Sequence, residues 1–130
     1  MQAAGVPPPT PALRTIEHGQ ISWVDSPRQT VARTPQEWAA LWRSHAPDRP
    51  LPAIDFSKDM VVAIFLGSRP SAGYSVEITG VKEVNGAVVV QYHETAPRAD
   101  VVTAQVITDP FHIAVIPKRA GDVVFERVER

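Results

Sequence analysis

An unbroken apolar run, MVVAIFL, occupies residues 60–66 and sets the strongest limit on the fold. Seven residues is the length of a β-strand and far too short to span a bilayer. The run is rich in branched side chains, and successive side chains of a strand point to opposite faces of its sheet. It therefore predicts a central strand that is covered on both faces.

A hairpin is predicted next to this strand. Residues 74–84 alternate between apolar and polar positions, with Gly80 marking a bulge or bend. Asn85-Gly86 then gives a strong type I′ turn signal, and residues 88–94 return as the partner strand.

Short apolar stretches predict further strands at residues 16–24, 29–33, 101–107, 112–116 and 123–128. The second of these is a candidate partner of the first. Because turns follow one another along the chain, antiparallel pairing is favoured. We expect a mainly β protein of the β-rich α+β class, an antiparallel sandwich or partly open barrel of about seven or eight short strands.

A single helix is predicted at residues 35–46. Thr34 suits the N-cap, Pro35 the first helical position and Glu37 the closing position of a capping box, while Pro47 ends the helix. One face is rich in tryptophan, and we expect it to pack on the sheet, with the helix over one end of the sandwich. The residues that recur at helical spacing on this face are Trp38, Leu41, Trp42 and His45.

The chain of 130 residues predicts one domain. Residues 1–14 contain four prolines and few groups that can be buried, so we expect a disordered Pro-rich tail before a single domain at residues 15–130. The first residues have neither a basic nor an apolar leader region. Two interpretations stay open for the tail: the remnant of a tether whose leader has been removed, or a plain disordered N-terminus.

Composition excludes several functions. Thirteen basic residues against fourteen acidic ones leave no excess to attract nucleic acid, and the absence of cysteine excludes disulfides and thiolate sites. The four histidines have no metal-ligand spacing, and no phosphate-binding loop precedes the helix, so neither a metal nor a cofactor is expected. Ser71 precedes Gly73 as in a nucleophile elbow, but Arg69 occupies the first glycine position and a strand follows. We therefore expect no enzyme activity.

The loop between the two best-defined strands is the candidate binding site. Its glycines permit unusual backbone conformations, its proline limits the entropy lost on binding, and its arginine suits a carboxylate. We predict that it contacts a protein partner, with Arg69 and Ser71 the most available side chains. The alternative is a tight connection whose glycines and tyrosine serve only the turn. The predicted site, here called the 67–74 loop, consists of Gly67, Ser68, Arg69, Pro70, Ser71, Ala72, Gly73 and Tyr74.

This loop also carries a family resemblance. GSRPSAGYSVEI at residues 67–78 resembles the G-x-R-P-T-G-G-Y-S-V-x-I signature of the PrcB C-terminal domain family, with Ala72 where the family usually has glycine. Three other segments are similar to the same family: EWAALW at 37–42, DFSKDMVV at 55–62 and PFHIAVIPK at 110–118. The resemblance extends over roughly residues 16–127.

The resemblance implies a non-catalytic accessory domain that associates with a secreted protease and supports its maturation or stability. It implies an extracytoplasmic location, often on a lipoprotein, so that a lipid anchor would be the only membrane contact. The loop also resembles the N-P-T-T-G-Y loop of chagasin-type cysteine-protease inhibitors at Pro70, Ser71, Gly73 and Tyr74. A protease inhibitor that uses residues 67–73 as a wedge, a small hydrolase and an envelope ligand-binding or structural domain are the alternatives.

Overall fold

A computed structural model describes residues 13–129 of the chain. This part contains seven strands and one helix, 44% of the described residues being strand, with no closed barrel. In chain order the elements are β1 (Arg14–Gly19), β2 (Arg28–Ala32), α1 (Pro35–His45), β3 (Asp59–Phe65), β4 (Ser75–Val84), β5 (Ala87–Thr95), β6 (Phe111–Pro117) and β7 (Val123–Arg127). The predicted mainly β, sandwich-like class is confirmed. Residues 1–12, most of the predicted tail, lie outside the described range.

Four strands form the first sheet, in the order β1-β6-β3-β2, and all its pairs are antiparallel. The apolar run lies in β3, between β6 and β2, where every side chain from Met60 to Phe65 is buried. This position in the interior of the sheet confirms the prediction of a central strand covered on both faces.

The second sheet has the order β4-β5-β7. β4 and β5 form the predicted hairpin, in which Asn85 and Gly86 both have positive φ, as a type I′ turn requires. The register shifts between Ile78 and Gly80, so the predicted bulge is also confirmed. β7, however, runs parallel to β5, which corrects the expectation of purely antiparallel pairing.

Two apolar cores lie on the two faces of the first sheet. Alternate β3 side chains, including Val61 and Phe65, face α1, while Met60 and Val62 face the second sheet. The molecule is therefore layered as helix, four-stranded sheet and three-stranded sheet. The helix covers the outer face of the four-stranded sheet rather than one end of the sandwich, because the unbroken apolar run needs cover on that face as well.

The helix begins as its sequence predicts. Thr34 has an extended backbone and accepts the Glu37 N–H at 3.1 Å, and Pro35 opens the first turn. The Glu37 carboxylate accepts a hydrogen bond from the Arg33 N–H at 2.7 Å. A capping box would use the N–H of the N-cap residue, which lies one residue later. The four predicted face residues are the buried residues of the helix.

Two strand predictions are corrected. Residues 101–107 form no strand, because no neighbouring strand pairs with them; the bridge between Arg69 and Thr108 lies one residue beyond this stretch. The first strand ends at Gly19 instead of continuing to residue 24, and β1 pairs with β6 rather than with β2. Within residues 13–129 no helix is long and apolar enough to cross a membrane.

Candidate functional site

The 67–74 loop is fastened to its surroundings by backbone hydrogen bonds. The Ser68 N–H donates to Asp25 O at 3.0 Å, and the Ala72 N–H donates to Ala104 O at 3.0 Å. Between them, Arg69 and Thr108 exchange N–H to O bonds of 2.7 and 3.0 Å. Because three separate points are tied down, the loop is held in one conformation without belonging to either sheet.

The glycines at the two ends of the loop serve its own geometry. Gly67 has φ +81°, and a Cβ there would lie 2.9 Å from the Pro27 ring. Gly73 has φ +99°, and its Cβ would lie 2.8 Å from the Pro97 Cβ. Both positions combine a left-handed backbone with close packing, which only glycine accepts. The geometry of the turn therefore requires glycine at both positions.

Ser71 is not available to a partner, contrary to our prediction. The residue is 8% exposed, its hydroxyl donates to Ala72 O at 3.0 Å, and its carbonyl accepts the Thr108 hydroxyl at 3.0 Å. Among residues 13–129 no histidine or carboxylate forms a hydrogen bond with the Ser71 hydroxyl. The side chain therefore closes the loop internally and has no base to activate it.

Other loop residues face outward. Ser68, Pro70 and Gly73 are exposed, and Arg69 is half-buried, with its guanidinium 5.8 Å from the centre of the Tyr74 ring. The Ser68 hydroxyl donates to the Asp109 carboxylate at 2.6 Å. Arg69 contacts no carboxylate within the described residues, so it keeps its capacity to bind an anion.

An exposed apolar stretch runs alongside the loop. We call residues 101–107 the 101–107 segment; its backbone is tied to the loop through Ala104 and ends beside the Arg69–Thr108 bridge. Four of its large apolar side chains are half or more exposed: Val101 at 50%, Val102 at 98%, Val106 at 53% and Ile107 at 75%. The apolar pattern that predicted a strand therefore marks an uncovered surface.

A second polar cluster, which the sequence did not reveal, lies at the C-terminal end of α1. His45 is 1% exposed; its Nδ1 is 2.8 Å from the Ser22 hydroxyl and its Nε2 is 2.6 Å from the Glu17 carboxylate. Arg49 binds the same carboxylate with two 2.7 Å hydrogen bonds, which hold the Glu17 pKa below its usual range. Burial lowers the His45 pKa, and the hydrogen bond that the Glu17 carboxylate accepts from the ring opposes this shift. Residues more than twenty positions apart meet here, so no local pattern could predict the cluster.

The order serine, histidine, carboxylate is also that of a hydrolytic triad. Here, however, the Glu17 carboxylate is engaged by an arginine on both oxygens, and the Ser22 hydroxyl accepts the Val24 N–H at 3.0 Å. The Trp23 N–H also donates to His45 O at 2.9 Å. These bonds fasten the turn after β1 to the end of the helix, which is a structural role.

Two further histidines join the sheets. His112 is 2% exposed; its Nδ1 accepts the Ile78 N–H at 2.8 Å, and its Nε2 lies 2.8 Å from the Thr15 hydroxyl. The His18 ring stacks on it at 4.5 Å and bonds to Val76 O at 2.7 Å. Burial, and to a smaller extent His18, lowers the His112 pKa to about 4. A neutral ring with its proton on Nε2 satisfies both partners of His112.

No group of three or more potential ligands among residues 13–129 could hold a metal ion. The described arrangement is that of a two-sheet domain with a helix on its outer face, a pinned inter-strand loop and an exposed apolar segment beside it. The polar clusters in this arrangement join parts of the fold.

The family comparison supports the resemblance. Residues 60–117 match the model of the family described as PrcB C-terminal, in agreement with the loop signature. The matched range runs from β3 to β6 and includes both the 67–74 loop and the 101–107 segment. The similarities at residues 37–42 lie outside it and stay predictions. No curated protein and no solved structure matches the chain.

Proposed function

We propose that this chain is a non-catalytic accessory domain that binds and stabilises a protein partner, most simply an extracytoplasmic protease. The contact surface is formed by the 101–107 segment and the exposed part of the 67–74 loop. The family match suggests an accessory domain of a protease complex. The partner and the location outside the cytoplasm are parts of the proposal.

The observation that carries the proposal is the run of exposed apolar side chains. Val102 and Ile107 are 98% and 75% exposed, next to a loop that is fixed by hydrogen bonds at three points. Leaving large apolar groups in water forgoes stabilisation of about 25 cal/mol for each Å². Adjacent exposed apolar groups often mark an interaction surface, and a rigid backbone reduces the entropy lost on binding.

The test is affinity capture from the extracellular and envelope fractions of the native source. Wild-type chain should retain a defined protein that the V102S/I107S double variant loses. Val124→Ser is the matched control, because Val124 is 50% exposed on β7 and outside the proposed surface. Equal retention by the double variant and wild type would refute the surface. Failure of the retained protein to hydrolyse casein would refute the protease assignment.

The same material separates an inhibitor from an accessory subunit. The exposed Pro70 in a fixed loop is the feature that favours the inhibitor alternative, since a wedge needs a stiff apex. A stabilising partner should preserve the activity of the retained protease during prolonged incubation. An inhibitor should abolish that activity at equimolar ratio, and Pro70→Ala should weaken the inhibition.

A further inference from the structure

A groove lies beside the 67–74 loop, and Arg69 is the loop residue that lines it. Its volume is about 320 Å³. Ile64 and Leu66 form an apolar floor, and Arg28, Arg69, Tyr92 and Glu94 stand around it. The size is at the lower end of that of ligand pockets, and the lining combines an apolar base with a few polar groups.

The groove opens beside a sheet edge that has no neighbour. β2 is the last strand of the first sheet, and it pairs with β3 alone within residues 13–129. Its first residues, Arg28 and Gln29, are exposed. An open edge of this kind presents backbone N–H and C=O groups to which an extended peptide can add as a further strand.

The charge of the groove selects the peptide. Neither Arg28 nor Arg69 contacts a carboxylate in the described part of the chain, whereas Glu94 lies 3.5 Å from Arg127 Nη1. Two guanidinium groups thus lack an anion at the rim, and guanidinium matches the geometry of a carboxylate. Residues 1–12 contain no aspartate or glutamate, so the N-terminal part of this chain offers no matching side chain.

We propose that this groove binds an extended acidic segment of a protein partner, which adds to the edge of β2 and places a carboxylate between Arg28 and Arg69. The inference deepens the proposed function and rests on it, since it assigns the chemistry of the partner segment that lies beside Arg69. Gln29 and Tyr92, whose side chains meet at 3.3 Å, would form the neutral part of the wall.

The test is fluorescence anisotropy with labelled octapeptides that form strands. One alternates valine with glutamate, and the other alternates valine with glutamine. The acidic peptide should bind at least about tenfold more tightly, as expected for even one charge-assisted hydrogen bond of about 1.5 kcal/mol. The R28Q/R69Q variant should lose that preference. The control, R14Q/R43Q, removes the same charge from exposed positions on β1 and α1.

A second readout tests the strand addition. Binding should shift the amide resonances of β2. Alternate N–H groups of the bound peptide would point toward β2, so N-methylation of that set of residues should abolish binding. N-methylation of the other set should not. Three results would each overturn the inference. They are equal affinity for the two peptides, no binding of either peptide at about 1 mM, and an equal loss of the preference for the acidic peptide in the two arginine variants. Because capture of the native partner depends on Val102 and Ile107 in a separate assay, a negative peptide result does not affect the proposed function.

Discussion

Replacing His112 by asparagine tests how the two sheets are joined. In the folded chain the ring accepts the Ile78 N–H from β4 at 2.8 Å, which requires Nδ1 to carry no proton. Burial lowers the pKa from 6.5 to about 4. An asparagine side chain also offers one acceptor and one donor, but it does not titrate, so the variant removes the proton-binding site and keeps the polar contacts available.

The sign follows from where the proton binds. The unfolded ring takes up a proton near pH 6.5 and the folded ring only near pH 4, so acid favours the unfolded chain. The stability that depends on neutral His112 is fully present above about pH 6.5, is lost as the pH falls, and changes no further below about pH 4. Between about pH 7 and pH 4.5 the loss amounts to roughly 2 kcal/mol.

Urea denaturation at several pH values measures this loss. The free energy of unfolding of wild type should fall by roughly 2 kcal/mol more than that of His112→Asn over this range. The difference between the two pH dependences is informative even if asparagine lowers stability at all pH values. Parallel curves for the two proteins would refute the reasoning. An NMR titration in which the His112 ring changes charge above pH 6 would refute it independently.

Three further contacts can be tested by urea denaturation, each with a substitution and a matched control. Gly67→Ala should lower the free energy of unfolding by at least about 2 kcal/mol, because a left-handed backbone and a close proline combine there. Gly86 has nearly the same φ but no atom close to an added Cβ, so Gly86→Ala should cost about 1 kcal/mol. Equal costs would contradict the packing argument. Glu17→Gln should cost roughly 2 kcal/mol through its bonds to a buried histidine and an arginine, while the exposed pair of Asp100 should tolerate Asp100→Asn. Thr34→Ala should cost about 1 kcal/mol, whereas Thr34→Ser keeps the capping hydroxyl and should cost much less. Equal stability of the two variants would show that the helix cap contributes nothing.

The predicted and the observed fold agree where a signal is local. The N-cap at Thr34 depends on residues three positions apart, and the Asn85-Gly86 turn on two adjacent residues. The predicted and observed folds differ where the structure of a segment depends on a partner that lies far along the chain. Residues 101–107 have the composition of a strand, but no strand pairs with them, and β7 lies parallel to β5.

The candidate site divides in the same way. The sequence alone identified the loop and its glycines, whose positive φ values are a property of the local backbone. Tertiary packing decided that Ser71 faces inward and that Arg69 lies beside the start of β2. It also brought Glu17, Ser22 and His45 together.

Local patterns along the chain predict which stretches are buried on two faces, which turn closes the hairpin, and the resemblance of the loop to the PrcB C-terminal family. Which strands are neighbours, and which apolar side chains stay in water, became clear from the three-dimensional structure alone. Turns and helix caps are satisfied within a few residues, whereas burial and strand pairing depend on groups that lie far apart along the chain.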